Sequence, residues 1–198
     1  MSPLAFVIRA VPLYLLALLL TGVGASVLAA WMPATWRIPL AILALVGFAA
    51  LMTFRRVQTW STLLLLAFAL TAGLLLRLML AGAPLHWGWA LAASLGIPLL
   101  VMPLGWLAGP RLQPFGRVTW IAAWVYILGW IAWQLLLGSP VAHAAWGAAG
   151  LVIFSALTLT WSAALPTRSV SEPAGSMAAE IYLIGMNLGL AATMLLSS

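Results

Sequence analysis

Seven apolar runs, each about long enough to cross a hydrocarbon core about 30 Å thick, limit what this chain can fold into more than any other feature. Broken at its Pro, Gly and Arg clusters, the sequence places them at residues 10–31, 37–54, 60–81, 86–109, 117–138, 141–165 and 177–197. A soluble fold would need polar helices to cover such runs, and none is present. Only 5% of the residues are charged and 66% are hydrophobic, against roughly a quarter charged in a soluble domain. The expected fold is therefore all-α, a polytopic membrane helix bundle of about seven transmembrane helices, with residues 1–198 forming a single transmembrane domain. No stretch is left for a sizeable domain outside the bilayer.

The few charges are arranged as topology signals. There are eight arginines, no lysine and no aspartate, and Glu172 and Glu180 are the acids. The arginines sit at the ends of the apolar runs and form no stripe, which excludes nucleic acid as a partner. Because cytoplasmic loops retain positive charge, Arg9, Arg55, Arg56, Arg111, Arg117 and Arg168 place the N-terminus inside and the C-terminus outside, with only Arg37 and Arg77 toward the outer face. Trp31, Trp36, Trp60, Trp87, Trp89, Trp106, Trp120 and Trp146 fall near run ends, where an indole meets both lipid and headgroups. The first run is too long for the apolar core of a cleavable signal, so Met1 is expected to begin the mature chain. The segment Pro166 to Ser176 is distinctly polar and reads as a mobile cytoplasmic loop.

Four runs carry a resemblance: PLYLLALLLTGVGASV from Pro12, LLLLAFALTAGLLL from Leu63, WGAAGLVIFSALTL from Trp146 and AAEIYLIGMNLGL from Ala178. Together, and most specifically through Tyr182, Leu183, Asn187 and Leu188 in the last, they resemble the Bax inhibitor-1 (transmembrane Bax-inhibitor-motif) family of seven-helix membrane proteins, in a divergent bacterial form. The resemblance implies residence in a bacterial inner membrane. Ion-leak members of that family carry acidic residues where this sequence has Ala72, Trp161 and Ile184. Paired carboxylates titrate as a coupled pair and can latch a pore; Ala, Trp and Ile cannot. The resemblance thus implies the fold and weakens the calcium or proton leak that goes with it.

Ionisable side chains inside a membrane are functional candidates by default. Arg77 lies near the outer end of the third run, where its side chain can snorkel to headgroups or find an internal partner. Glu180 begins the last run beside Tyr182 and near Asn187; it reads either as a carboxylate on a helix N-terminus or as a partner of Arg168, Arg55 or Arg56. His86 and His143 start the fourth and sixth runs, but two histidines without further ligands make a poor metal or haem site, so no metal and no cofactor is expected. Without cysteine there are no disulfides or thiolate sites. Ser94, Ser155 and Ser162 have no evident base, and no catalytic residue is expected.

Small residues four apart form flat helix faces for close packing: Gly105 with Gly109, Gly185 with Gly189, and Gly22 with Ser26 and Ala30. The fifth run carries Trp120, Trp124, Tyr126, Trp130 and Trp133 along its length; Trp124 and Trp130 lie too deep to be interfacial anchors, so the helix offers an aromatic face to lipid, a hydrophobic cofactor or a partner, with Trp124, Trp130 and Trp133 as the contact candidates. Two function classes follow. A structural or modulatory subunit works through helix contacts with other integral membrane proteins and needs no titratable pore. A leak channel or transporter needs polar groups at midplane breaks, for which Pro98 and Pro103 in the fourth run are the available signal.

Overall fold

The computed structural model describes residues 3–79, 87–136, 143–168 and 172–196, and no strand occurs among them. Seven long helices account for most of these residues: α1 (Pro3–Ser26), α2 (Arg37–Phe54), α3 (Gln58–Met79), α4 (Trp87–Ala108), α5 (Gly116–Leu136), α6 (His143–Ala163) and α8 (Ala174–Leu196), with a one-turn helix α7 (Leu165–Arg168) before the last. Hydrocarbon offers a backbone no partner, so an apolar chain satisfies its N–H and C=O groups within each segment as helix. Leu and Ala, which dominate the runs, are good helix formers. The protein is an all-helical membrane protein.

Six continuous helical stretches are long and apolar enough to span a bilayer. One of them, Trp89–Trp130, is 42 residues long. At 1.5 Å per residue it would reach about 63 Å, twice the hydrocarbon thickness, so it cannot be one crossing. It contains α4, a 3₁₀ segment (Gly109–Phe115) and α5. Gly109 takes φ +54°, the left-handed conformation that ends α4, and Pro110 follows at the start of the tighter helix. Gly109 therefore terminates the helix and does not extend a Gly105 stripe along it. The last turn of the first run is likewise tightened: α1 stops at Ser26 and a 3₁₀ turn covers Leu28–Trp31. Ala30 lies in that turn, so the expected row of Gly22, Ser26 and Ala30 is broken by the end of the helix.

Two compact units divide the chain, one of residues 1–83 with 168–182, the other of 84–167 with 183–198; α8 thus contributes its first turns to one and its remainder to the other. In the first unit α3 packs against both α1 and α2. A Cβ on Gly24 would meet the backbone at Leu70 and Leu74, and one on Gly73 would run into the backbone of Thr21, so these two glycines set how closely α1 and α3 approach. Gly22 faces open space. The contact face of α1 is thus the one through Gly24, not the one through Gly22.

In the second unit α6 packs against both α4 and α5. Gly105 on α4 seats against Leu159 and Ser162 of α6, and Gly147 and Gly150 on α6 seat against Ala191 and Leu195 of α8. Gly150 also leaves room for the Tyr126 ring, which donates its hydroxyl hydrogen to the Trp146 carbonyl at 3.0 Å. Close packing at small residues is what holds helices together where lipid is as apolar as leucine. Gly73→Ala, which forces α1 from α3, is expected to destabilise the protein by about 2 kcal/mol, and Gly22→Ala to leave it nearly unchanged; unfolding in mixed detergent micelles measures both.

Candidate functional site

The ion pairs of the described residues gather around Arg168, the start of α8 and the α2–α3 turn, all within the first unit. Pro173 precedes α8, and its carbonyl accepts from the Met177 N–H at 3.2 Å, so the helix is wound from its first residue. This puts Glu180 at the seventh position of α8, past the first turn where the helix dipole acts. Its side chain is 4% exposed. Arg168 Nη2 lies 2.8 Å from Oε1 and 2.7 Å from Oε2 of Glu180, and Arg55 Nη1 lies 3.6 Å from Oε1. Of the two readings of Glu180, the geometry shows pairing with arginine.

Arg168 also holds Glu172. Its Nε donates to Oε1 at 3.0 Å and its Nη2 to Oε2 at 2.8 Å, the side-on fork that a planar guanidinium offers a carboxylate. The Glu172 N–H closes onto the Arg168 carbonyl at 3.0 Å. Thus Leu165–Arg168 is a helical turn, and a fork joins it to Glu172, where a mobile loop was expected; Ser169 and Ser171 lie outside the described residues. Burial works against the Arg168 charge, but hydrogen bonds and charge from Glu180, and then from Glu172, outweigh it and raise the guanidinium above its ordinary range. Two carboxylates and two guanidiniums leave the cluster neutral.

Two residues further along α8, Tyr182 is fully buried. Its hydroxyl lies 2.6 Å from Thr21 Oγ1, which is 3.0 Å from the Ala17 carbonyl and 3.1 Å from the Ala69 carbonyl. Thr21 has one proton to donate and gives it to a carbonyl, so it accepts from Tyr182. The Tyr182 ring meets Phe68 edge-on at 6.2 Å. One turn of α8 thus fastens to the arginines on one side and to α1 and α3 on another. Thr21 was not singled out in the sequence; the signal it carried was a hydroxyl in an apolar run, beside the small residues Gly22 and Gly24.

The other candidates disperse. Arg77 is exposed near the end of α3, and Asn187 is half-buried with its side-chain amide bonded to the Leu183 carbonyl at 2.7 Å. Gly185 is buried, and Gly189 seats against Ala90 and Ser94 of α4. Gly105 is taken up by α6, whereas Gly109 meets nothing. The aromatic face of α5 divides: Trp124 is 41% exposed, Trp133 packs on Trp146 with centroids 6.5 Å apart, and the Trp130 indole nitrogen is buried without an acceptor among the described residues. Ala72, Trp161 and Ile184 are all buried. His143 begins α6, and His86 lies outside the described residues.

Removing one partner of a buried pair strands the other charge. Arg168→Gln is therefore expected to cost about 3 kcal/mol, Glu172→Gln at the outer end of the cluster about 1 kcal/mol or less, and Tyr182→Phe about 1 kcal/mol for the lost hydrogen bond. Denaturation of the purified variants in mixed micelles ranks them.

No protein-family model matches this chain, and no curated protein sequence does. The helices themselves make it a multi-pass membrane protein.

Proposed function

We propose that this protein is a non-enzymatic subunit of a larger membrane assembly that works through helix–helix contacts, a divergent relative of the Bax inhibitor-1 family in a bacterial inner membrane, with its N-terminus cytoplasmic and its C-terminus outside. One observation carries the contact reading. Val118, Ile121, Trp124, Val125 and Leu128 are all exposed and follow helical spacing, so they make one continuous face of α5. Aliphatic side chains on such a face are as content with lipid as with protein. Trp124 is different, because it is the ninth residue of a 21-residue helix, far from either end where an indole serves as an anchor. A large rigid ring at mid-helix with its neighbours aligned fits a well-packed contact with another transmembrane helix.

The family reading is supported by the sequence runs quoted above and by the seven long helices. The leak activity that ion-conducting members show is set aside, because the three positions where they carry acids hold Ala72, Trp161 and Ile184. The orientation is supported by the arginine asymmetry, and by Arg55 and Arg168 meeting in one cluster within the first unit.

A photo-crosslinker placed at Trp124 in native membranes is expected to capture another membrane protein, and one placed at Trp133, which packs on Trp146, to capture none. Capture of lipid alone at Trp124 would refute the subunit reading. In liposomes the purified chain is expected to show no calcium or proton flux that switches between about pH 6 and 8, and a reporter fused after Ser198 is expected outside the cytoplasm.

A further inference from the structure

Eight arginines share two acidic side chains; Arg168 engages both Glu172 and Glu180, and Arg55 engages Glu180. Every other arginine must find its counter-charge outside the chain's own side chains. The second unit makes the case sharpest: it holds Arg111 and Arg117 and contains no acid at all. Arg111 lies within the 3₁₀ segment Gly109–Phe115 that joins α4 to α5, and Arg117 is the second residue of α5.

Their placement is fixed by that segment. Four 3₁₀ steps of about 120° and 2.0 Å lead from Arg111 to Phe115 and two α steps of about 100° and 1.5 Å on to Arg117, so the two arginines return to within about 40° of the same side, about 11 Å apart. The backbone continues into α5 without a break, with Gly116 at φ −57° and ψ −40°. Arg111, Gln113 and Arg117 are all exposed. Around them Leu107 is 85%, Phe115 57% and Val118 62% exposed. A pair of guanidiniums, an amide donor and three bare apolar side chains at a helix-to-helix connection match one kind of molecule, with an anionic head and a hydrocarbon tail.

We propose that the α4–α5 connection is a binding site for an anionic phospholipid, Arg111 and Arg117 holding phosphate oxygens while Leu107, Phe115 and Val118 lie against the acyl chains. Guanidinium suits this role because it presents paired donors to phosphate and sheds water more readily than ammonium. The site depends on the chain being a membrane protein and shares Val118 with the exposed face of α5, while its two arginines lie outside that face. It gives this connection a fixed depth at the headgroup level of one leaflet.

The test uses the full chain in dodecyl maltoside micelles, titrated separately with phosphatidylglycerol and phosphatidylcholine and read by native mass spectrometry. Phosphatidylglycerol is expected to bind in preference, and R111Q/R117Q to weaken it by roughly fivefold for each arginine removed. R56Q, at the exposed α2–α3 turn, is expected to change it by less than about twofold. Equal binding of the two lipids, an equal loss in R56Q, or displacement of phosphatidylglycerol by an equal concentration of inorganic phosphate would each overturn the proposal. Should the double variant fail to fold, R111Q and R117Q are titrated singly: a loss of about fivefold supports the site, and no loss overturns it.

Discussion

Hydrocarbon supplies no hydrogen-bond partner, and almost every polar feature of this protein answers to that constraint. Its hydroxyls turn back on their own helices: Thr71 donates to the Ala67 carbonyl at 2.8 Å, Thr158 to Phe154 at 2.7 Å and Thr193 to Gly189 at 2.8 Å. Such bonds silence a polar group without calling on a neighbour. A few do more. The Thr119 and Thr160 hydroxyls lie 2.8 Å apart and join α5 to α6, and Thr21 receives Tyr182 while bonding to a carbonyl. Polar contacts between helices are thus few and placed where packing is already close, so each adds direction to a contact that small residues permit.

The same constraint governs charge. A buried carboxylate is tolerated only with compensation from every side, and Glu180 has it from two guanidiniums. Because Arg168 Nη2 is shared between Glu172 and Glu180 and its Nε holds Glu172, one side chain links the connection before α8 to the second turn of that helix. All nine residues from Ala174 to Tyr182 are buried. A helix buried all round has no polar face to orient it, so its register must come from specific groups. Glu180 and Tyr182 stand about 200° apart around the helix axis, and the two bonds oppose rotation in either sense.

How much of this could be read in the sequence follows from what each feature depends on. The long helices were legible because bilayer thickness sets their length and the runs are apolar from end to end. Trp161 and Ile184 could be read as unable to titrate because that is a property of the residue alone. The small-residue faces were only half legible. Spacing by four marks Gly22 with Ser26 and Ala30, whereas Gly24, about 200° round the helix, has Leu20 and Leu28 four residues to either side, and it is Gly24 that meets Leu70 and Leu74 of α3. Gly109 ends the fourth run in the sequence and the helix in the structure, but pairing it with Gly105 as a packing stripe overlooked that Pro110 and a positive φ make it a terminator with nothing packed on it. The role of Glu180 turned on where α8 begins. A start at residue 177 would have put it in the first turn; winding from Ala174 carries it beyond the reach of the dipole and into that of Arg168.

The aromatic face of α5 shows why composition alone cannot separate packing from recognition. Trp133 and Trp124 are nine residues apart, which is two and a half turns, so they must point to opposite sides of the helix. Trp133 meets Trp146, and Tyr126, seven positions before it, meets both Trp146 at 5.4 Å and Phe154 at 5.5 Å. That side is filled from within the chain. The side carrying Trp124 joins Ile121, Val125 and Leu128, all exposed, so the helix separates a filled aromatic cluster from a face that keeps a large part of its surface open. The Trp133 ring packs on Trp146, whereas Trp124 leaves 41% of its surface exposed at mid-helix, and it is this difference that makes Trp124 the position at which to probe for what lies outside.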